Sequence, residues 1–126
     1  MSKTHISIPG APEYERGYSQ AVRAGNTVYV HGTTGFNVAT GEYGPTIREQ
    51  ARQSLLNCQA ILHAAGAELS DVVMVTTLLQ RSEDAATVSE VFTEFYPDME
   101  PPRCVARIGV DRPGLLISIA MIAVVD

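Results

Sequence analysis

The chain has 126 residues, 45% hydrophobic and 18% charged, the size of one ordinary domain and too apolar for a disordered tail. A formal net charge of −5, from 9 Lys and Arg against 14 Asp and Glu, gives no basic face for a phosphate backbone and sets nucleic acid aside as a partner. Cys58 and Cys104 make no disulfide framework, the isolated His5, His31 and His63 make no metal spacing, and Met1 to Gly10 lacks the apolar stretch of an export signal, so a soluble, cytoplasmic protein without a metal is expected.

No repeat or linker interrupts the chain, and residues 1–126 are read as one domain. Thr4 to Ile8 is a short strand closed by Pro9-Gly10, and Ser19 to Thr34 reads as two strands turning at Gly25-Asn26. Turn residues from Gly35 to Pro45 predict a loop. Thr46, with Glu49 after it, has the form of a capping box opening a helix. Ile47, Ala51, Leu55, Cys58, Leu62 and Ala65 form its apolar stripe, and Gly66 is placed to stop it. Asp71 to Gln80 is apolar on both alternating faces, which predicts a strand buried on two sides. Ser82 or Asp84 caps a second helix that buries Val88, Val91, Phe92 and Phe95, turns Glu90 and Glu94 to water and ends at Pro97. After Pro101-Pro102, Arg103 to Val110 is a strand, Asp111 to Gly114 a turn and Leu115 to Val125 the last strand, too short an apolar run to span a bilayer. The order is βββαβαββ, an α+β arrangement.

The last strand bears on assembly. Leu116, Ser118, Ala120, Ile122 and Val124 face one way, Leu115, Ile117, Ile119, Met121, Ala123 and Val125 the other, and both sets are largely apolar. Two helices cover only one face of such a sheet, so another subunit is expected on the second.

Arg103 is the leading candidate for chemistry. It follows two prolines that stiffen the chain, and a guanidinium in a partly apolar cleft grips a carboxylate by two parallel hydrogen bonds; a surface ion pair with Asp98 or Glu100 is the plainer alternative. Arg107 falls on the same strand face, as an extension of a positive pocket or a structural ion pair. Cys104 points the opposite way and is expected to be a small buried hydrophobe. His31 lies in VHGTTG, where Gly32 and Gly35 permit close backbone approach, although a lone histidine is ordinarily a packing or hydrogen-bonding residue. Tyr14, Tyr18 and Tyr43 lie in the loop-rich half, as pocket-lining residues or, equally, as core or rim packing.

Together the stretches GYSQAVRAGNTVYVHG (Gly17 to Gly32), TGE (Thr40 to Glu42), QARQSLLNCQAILHAAGA (Gln50 to Ala67), DVVMVTTLL (Asp71 to Leu79) and PPRCV (Pro101 to Val105) resemble the RidA family, also called YjgF or L-PSP proteins. The resemblance implies a chorismate-mutase-like α+β fold, a mixed sheet with two helices on one face, assembled as a homotrimeric barrel with clefts between subunits. It implies hydrolysis of reactive enamines and imines, of the 2-aminoacrylate type, to 2-keto acids and ammonia, with no metal or organic cofactor and a small-molecule carboxylate as substrate. The family's key arginine matches Arg103, which with the backbone amide of Val105 would hold the carboxylate; the pocket tyrosine matches Tyr18 and the glycine after the second long strand matches Gly32.

The sequence also departs from the family. Where the last strand usually reads like VEIEAIA, with one glutamate placing or activating the water, this chain has ISIAMIA, with Ser118 and Ala120 at the two positions. His31-Gly32-Thr33 replaces the commoner Ser-Gly-Gln. A serine orients water but is a poor base. A deaminase with altered or broader substrate choice is therefore expected. The alternatives are a regulatory trimer that binds a carboxylate ligand without catalysis, or a degradative deaminase of an unsaturated amino-dicarboxylate with Arg107 on the second carboxylate. An endoribonuclease role, attached to parts of the family, is disfavoured by the acidic charge.

Overall fold

The computed structural model describes residues 2–9 and 17–126; the candidate Tyr14 lies outside the described residues. In chain order the elements are β1 (Lys3–Ile6), β2 (Ala21–Ala24), β3 (Thr27–Thr34), β4 (Phe36–Asn37), β5 (Glu42–Tyr43), α1 (Ile47–Ala64), β6 (Val72–Leu79), α2 (Ala85–Phe95), β7 (Arg103–Arg107) and β8 (Ile117–Val124). Six strands make one sheet in the order β1-β2-β3-β8-β6-β7. Only β6 and β7, joined through α2, run parallel, so the sheet is mixed and mostly antiparallel.

Both helices lie on one face. The Thr46 hydroxyl accepts from the Glu49 amide at 3.2 Å, and Gly66, at φ +80°, ends the first helix in the left-handed conformation that glycine adopts at least cost. Leu55, Cys58 and Leu62 of α1 and Val88, Val91 and Phe92 of α2 meet Val75, Leu79, Ile117, Ile119 and Met121 of the sheet in one continuous core. Arg48 pairs with Glu90, and Arg52 with Glu94, across the outer side of the two helices. At such exposure each pair is worth only about 0.2–1 kcal/mol, whereas burying one large apolar side chain is worth about 1.5–3 kcal/mol, so the core fixes the helices.

The other face is open in the single chain. Tyr29 is 51% and Met74 47% exposed, and Thr76, Leu78, Ser118, Ala120 and Ile122 beside them are half-buried. The strand expected to be buried on both sides is therefore buried only toward the helices, with Val73 and Met74 in solvent. Cys104 lies on this open face, exposed, with its thiol 3.7 Å from the Thr76 hydroxyl, rather than buried as expected.

Element ends differ where side chains compete for backbone. The first strand stops at Ile6, and the Ile8 amide turns to the Gln20 side chain at 2.5 Å. β7 ends at Arg107 rather than Val110, because Ile108 bonds Leu79, the last residue of β6, and no partner strand continues. The last strand starts at Ile117 rather than Leu115 because the Leu116 amide donates to Gln50. The loop from Gly35 to Pro45 contains the β4–β5 hairpin, whose two-residue strands are too short for periodicity to reveal. Asp84 stands at the start of α2, but its carboxylate pairs with Arg81 at 3.0 Å instead of capping the helix. Phe95 is half-buried, and the neighbouring Tyr96 is buried in its place, its hydroxyl donating to the Leu69 carbonyl at 2.9 Å.

Burial raises the Cys58 thiol from 9.0 to about 12, a hydrogen bond with Thr33 offsetting part of the effect. Because the folded thiol holds its proton more tightly than the unfolded one, its contribution to stability is complete below about pH 9 and falls as pH rises toward 12. Cys58 is expected to resist iodoacetamide until denaturant is added. Cys58→Ala should remove its share of the fall in urea midpoint between about pH 8 and about pH 11.

Candidate functional site

A bulge shapes the middle of the sheet. Between β3 and β8 the register runs Val30 to Met121 and then Thr33 to Ile119, so His31 and Gly32 together stand opposite a single residue. The bulge carries Gly32 against Ser118, and a Cβ on Gly32 would lie 2.8 Å from the Ser118 hydroxyl, too close for any larger residue without displacement. The irregular backbone that follows is satisfied from α1. Ser54 donates to the Thr33 carbonyl at 2.7 Å, and Asn57 donates to the carbonyls of Thr34 and Phe36 at 3.0 and 2.9 Å.

A pocket of about 240 Å³ opens here, lined on the sheet side by Tyr18, Gly32, Thr34, Leu78 and Ser118 and on the other by the segment from Ile108 to Leu115. That segment is clamped. Gln50, buried on α1, donates from Nε2 to the carbonyls of Gly44 and Gly114 at 2.8 and 2.6 Å and accepts the Leu116 amide at 2.9 Å. Gln80 donates to the Val110 carbonyl at 2.9 Å. Arg112 is thereby held at the pocket rim, its Nη1 donating to the Tyr43 hydroxyl at 3.2 Å. Among the described residues that line the pocket Arg112 is charged, Tyr18, Thr34 and Ser118 carry hydroxyls, and none carries a carboxylate. The His31 ring sits edge-on to Tyr18 at 6.2 Å, near the Thr33 hydroxyl.

Arg103 and Val105 are elsewhere. Arg103 lies on the helix side of β7, its guanidinium 4.3 Å over the ring of the fully buried Phe92, with Nη2 donating to Ser89 at 3.1 Å. Glu100 approaches to 3.9 Å, so the expected ion pair is present only at its outer limit. The side chain remains 18% exposed, stacked and held rather than loose. The Val75 amide bonds Pro102 and the Ile108 amide bonds Leu79. In the parallel register this turns the even residues of β7 to β6 and the Val105 amide to the open sheet edge. Arg107 is exposed at the end of the strand, away from the pocket.

Of the sequence candidates, the fold thus brings Tyr18 and Gly32 to one pocket beside Ser118 and places Arg103 and Val105 at the sheet edge. Tyr43 is a rim residue. Gln50, Gln80 and Arg112 escaped the reading of the sequence; for Gln50 the signal was a polar residue at helical spacing within an apolar stripe, between Ile47 and Ser54. Among the described residues no group of three or more His, Cys, Asp and Glu is placed to hold a metal ion, and no helix is long and apolar enough to cross a membrane.

Comparison with known proteins places these features. A family profile described as endoribonuclease L-PSP matches residues 9–125. A 2-iminobutanoate/2-iminopropanoate deaminase of Dermatophagoides farinae is 37% identical over 126 residues, covering 98% of each chain. A RutC family protein of Pyrococcus horikoshii is 37% identical over 122 residues, 96% of this chain and 97% of that one. The crystal structure of RidA from an Antarctic Psychrobacter superposes with a TM-score of 0.88 at 34% identity, covering 97% of this chain and 99% of that one. With its whole fold shared and more than a third of its residues identical to these relatives, the chain belongs to the RidA/YjgF/L-PSP family.

Proposed function

We propose that this chain is an imine deaminase, working as a homotrimer of chorismate-mutase-like domains, each spanning residues 1–126, in the cytoplasm and without a cofactor. Its substrates are reactive enamines and imines of the 2-aminoacrylate type. The observation that carries the reading is the setting of Arg103. A guanidinium stacked on Phe92, tied to Ser89 and lying beside the outward Val105 amide is a preformed carboxylate clamp at an uncovered edge. The deaminase names of several relatives give that clamp a chemistry.

The division of the site supports assembly between copies. Arg103 faces the helices, whereas Gly32, Leu78 and Ser118 belong to the open face, so one chain does not bring the clamp to its own pocket. Packing the open faces of three copies around an axis covers the Tyr29 and Met74 patch and sets the clamp of one subunit against the pocket of the next. In the cleft Arg103 and the Val105 amide hold the carboxylate, Tyr18 walls the pocket and the Gly32 backbone approaches the substrate. Water adds across the carbon–nitrogen double bond, its oxygen to carbon and one proton to nitrogen; the new hydroxyl then gives its proton to nitrogen as the carbonyl forms and the carbon–nitrogen bond breaks, so ammonia leaves and a 2-keto acid remains. Ser118 and Tyr18 supply hydroxyls that orient the water, so positioning carries more of the rate than a strong base.

The absence of a carboxylate among the described pocket residues favours one competing reading, a trimer that binds a carboxylate ligand and does not turn it over. Ser118→Glu separates the two. The deaminase reading expects imine hydrolysis by the wild type, whereas activity that appears only in Ser118→Glu establishes the binder.

Two further outcomes are expected. Arg103→Ala should lower kcat/KM for imines generated in situ by at least about 100-fold, as loss of a bidentate charge-assisted contact worth about 3 kcal/mol or more requires; ammonia release or semicarbazone trapping measures it. Sedimentation velocity should give a trimer, with little monomer at micromolar concentrations.

A further inference from the structure

We infer that Gln50 and Gln80 are positioning residues for the substrate: their side-chain amides fix the pocket wall from Ile108 to Leu115 and so set how tightly the ligand is held, with no part in the chemical step. The inference rests on the reading that this pocket receives the imine, and it concerns two side chains that do not themselves line it.

The two halves of the pocket are held in different ways. On the sheet side Thr34 pairs with Ser118 and Ser118 with Leu78, so three lining residues lie in one row across β3, β8 and β6, and the strand ladder fixes them. The opposite half belongs to neither β7 nor β8 and takes its place from side chains. Gln80, directly after β6, reaches both ends of that segment: its Nε2 donates to the Val110 carbonyl at 2.9 Å and its backbone amide to the Leu116 carbonyl at 3.1 Å. Gln50, buried on α1, uses both amide protons on the carbonyls of Gly44 and Gly114 and its oxygen on the Leu116 amide. Ile108, Val110 and Leu115 are the apolar surfaces that the side chain of a ligand would meet on this wall. Dispersion contact is steep in distance, and a gap of about 0.5–1 Å forfeits about a quarter to a half of it. The reacting end of the ligand is assigned to the other half, against Gly32 and Ser118. An amide that holds the apolar wall therefore acts on the bound substrate and the transition state alike, which changes affinity and leaves the rate of the bound complex as it was.

The test measures affinity and turnover separately in the full chain, with 2-oxobutanoate as the ligand in titration calorimetry and its imine, generated in situ, as the substrate; a thermal melt gives the folded fraction. Gln80→Ala removes one bond at a half-buried site and should raise both Kd and KM about fivefold, with kcat within about twofold of the wild type. Gln50→Glu keeps the size and the acceptor but loses at least one of its two donors, and should raise Kd and KM about tenfold or more with kcat again retained. If Gln50→Glu does not fold, Gln80→Ala decides the matter. A lower melting temperature with Kd and KM unchanged, or a kcat that falls while Kd holds, would overturn the inference. Imine hydrolysis with a KM indifferent to both amides would overturn it while leaving the deaminase reading intact. A Kd for 2-oxobutanoate that rises in the variants of a protein that hydrolyses no imine would uphold it and overturn the deaminase reading instead.

Discussion

The buried amide of Gln50 is the joint on which the pocket depends. One side chain on the first helix binds the carbonyls of Gly44 and Gly114 and the amide of Leu116, so it ties the end of the β4–β5 hairpin to the turn that precedes the last strand. Without it, three partly buried backbone groups would lose their protein partner at once. Gly35 shows how close the packing is: a Cβ there would stand 2.4 Å from the Gln50 carbonyl oxygen. The helix must press on the chain at this point for Ser54 and Asn57 to reach the bulged backbone beyond Gly32. Three polar residues in the apolar stripe of one helix therefore hold the irregular segments from which the pocket is made.

The same economy separates rigidity from function. α2 offers Phe92 and Ser89 to Arg103, so the proposed carboxylate anchor is positioned by the core, while the Val105 amide beside it is left over by the alternation of a parallel ladder at a sheet edge. The cleft comes from the other face of the same sheet. On the proposed reading, a clamp and a pocket on opposite faces would meet only with another copy, and the apolar residues left open on one face offer a means of recruiting it.

Most of the fold was legible in the sequence because it rests on periodicity. The stripe of α1, the alternation of β3 and β8 and the break at Pro101-Pro102 are properties of consecutive residues. Failures came where one segment answers to another distant in sequence. The end of β7 is decided by where β6 stops, the start of β8 by Gln50, and the start of α2 by the attraction of Asp84 to Arg81 rather than to the helix. The site was legible in part. Arg103 stands out beside its prolines, whereas nothing local marks Arg112, which lines the pocket only because its segment is tied to Gln50 and Gln80.

For an acidic chain, the proposed acid ligand has to meet its cations at close range. With a net charge of −5 the chain as a whole repels an anionic substrate, but at physiological salt that repulsion is screened beyond about 8 Å. Inside that distance geometry decides. A guanidinium held over an aromatic ring and partly withdrawn from water is better placed than a solvated lysine to bond an anion, and its planar fork rewards a two-oxygen group such as a carboxylate over a halide of equal charge. The acidic surface therefore need not bar an anion from Arg103, whose guanidinium is fixed at close range by Phe92 and Ser89.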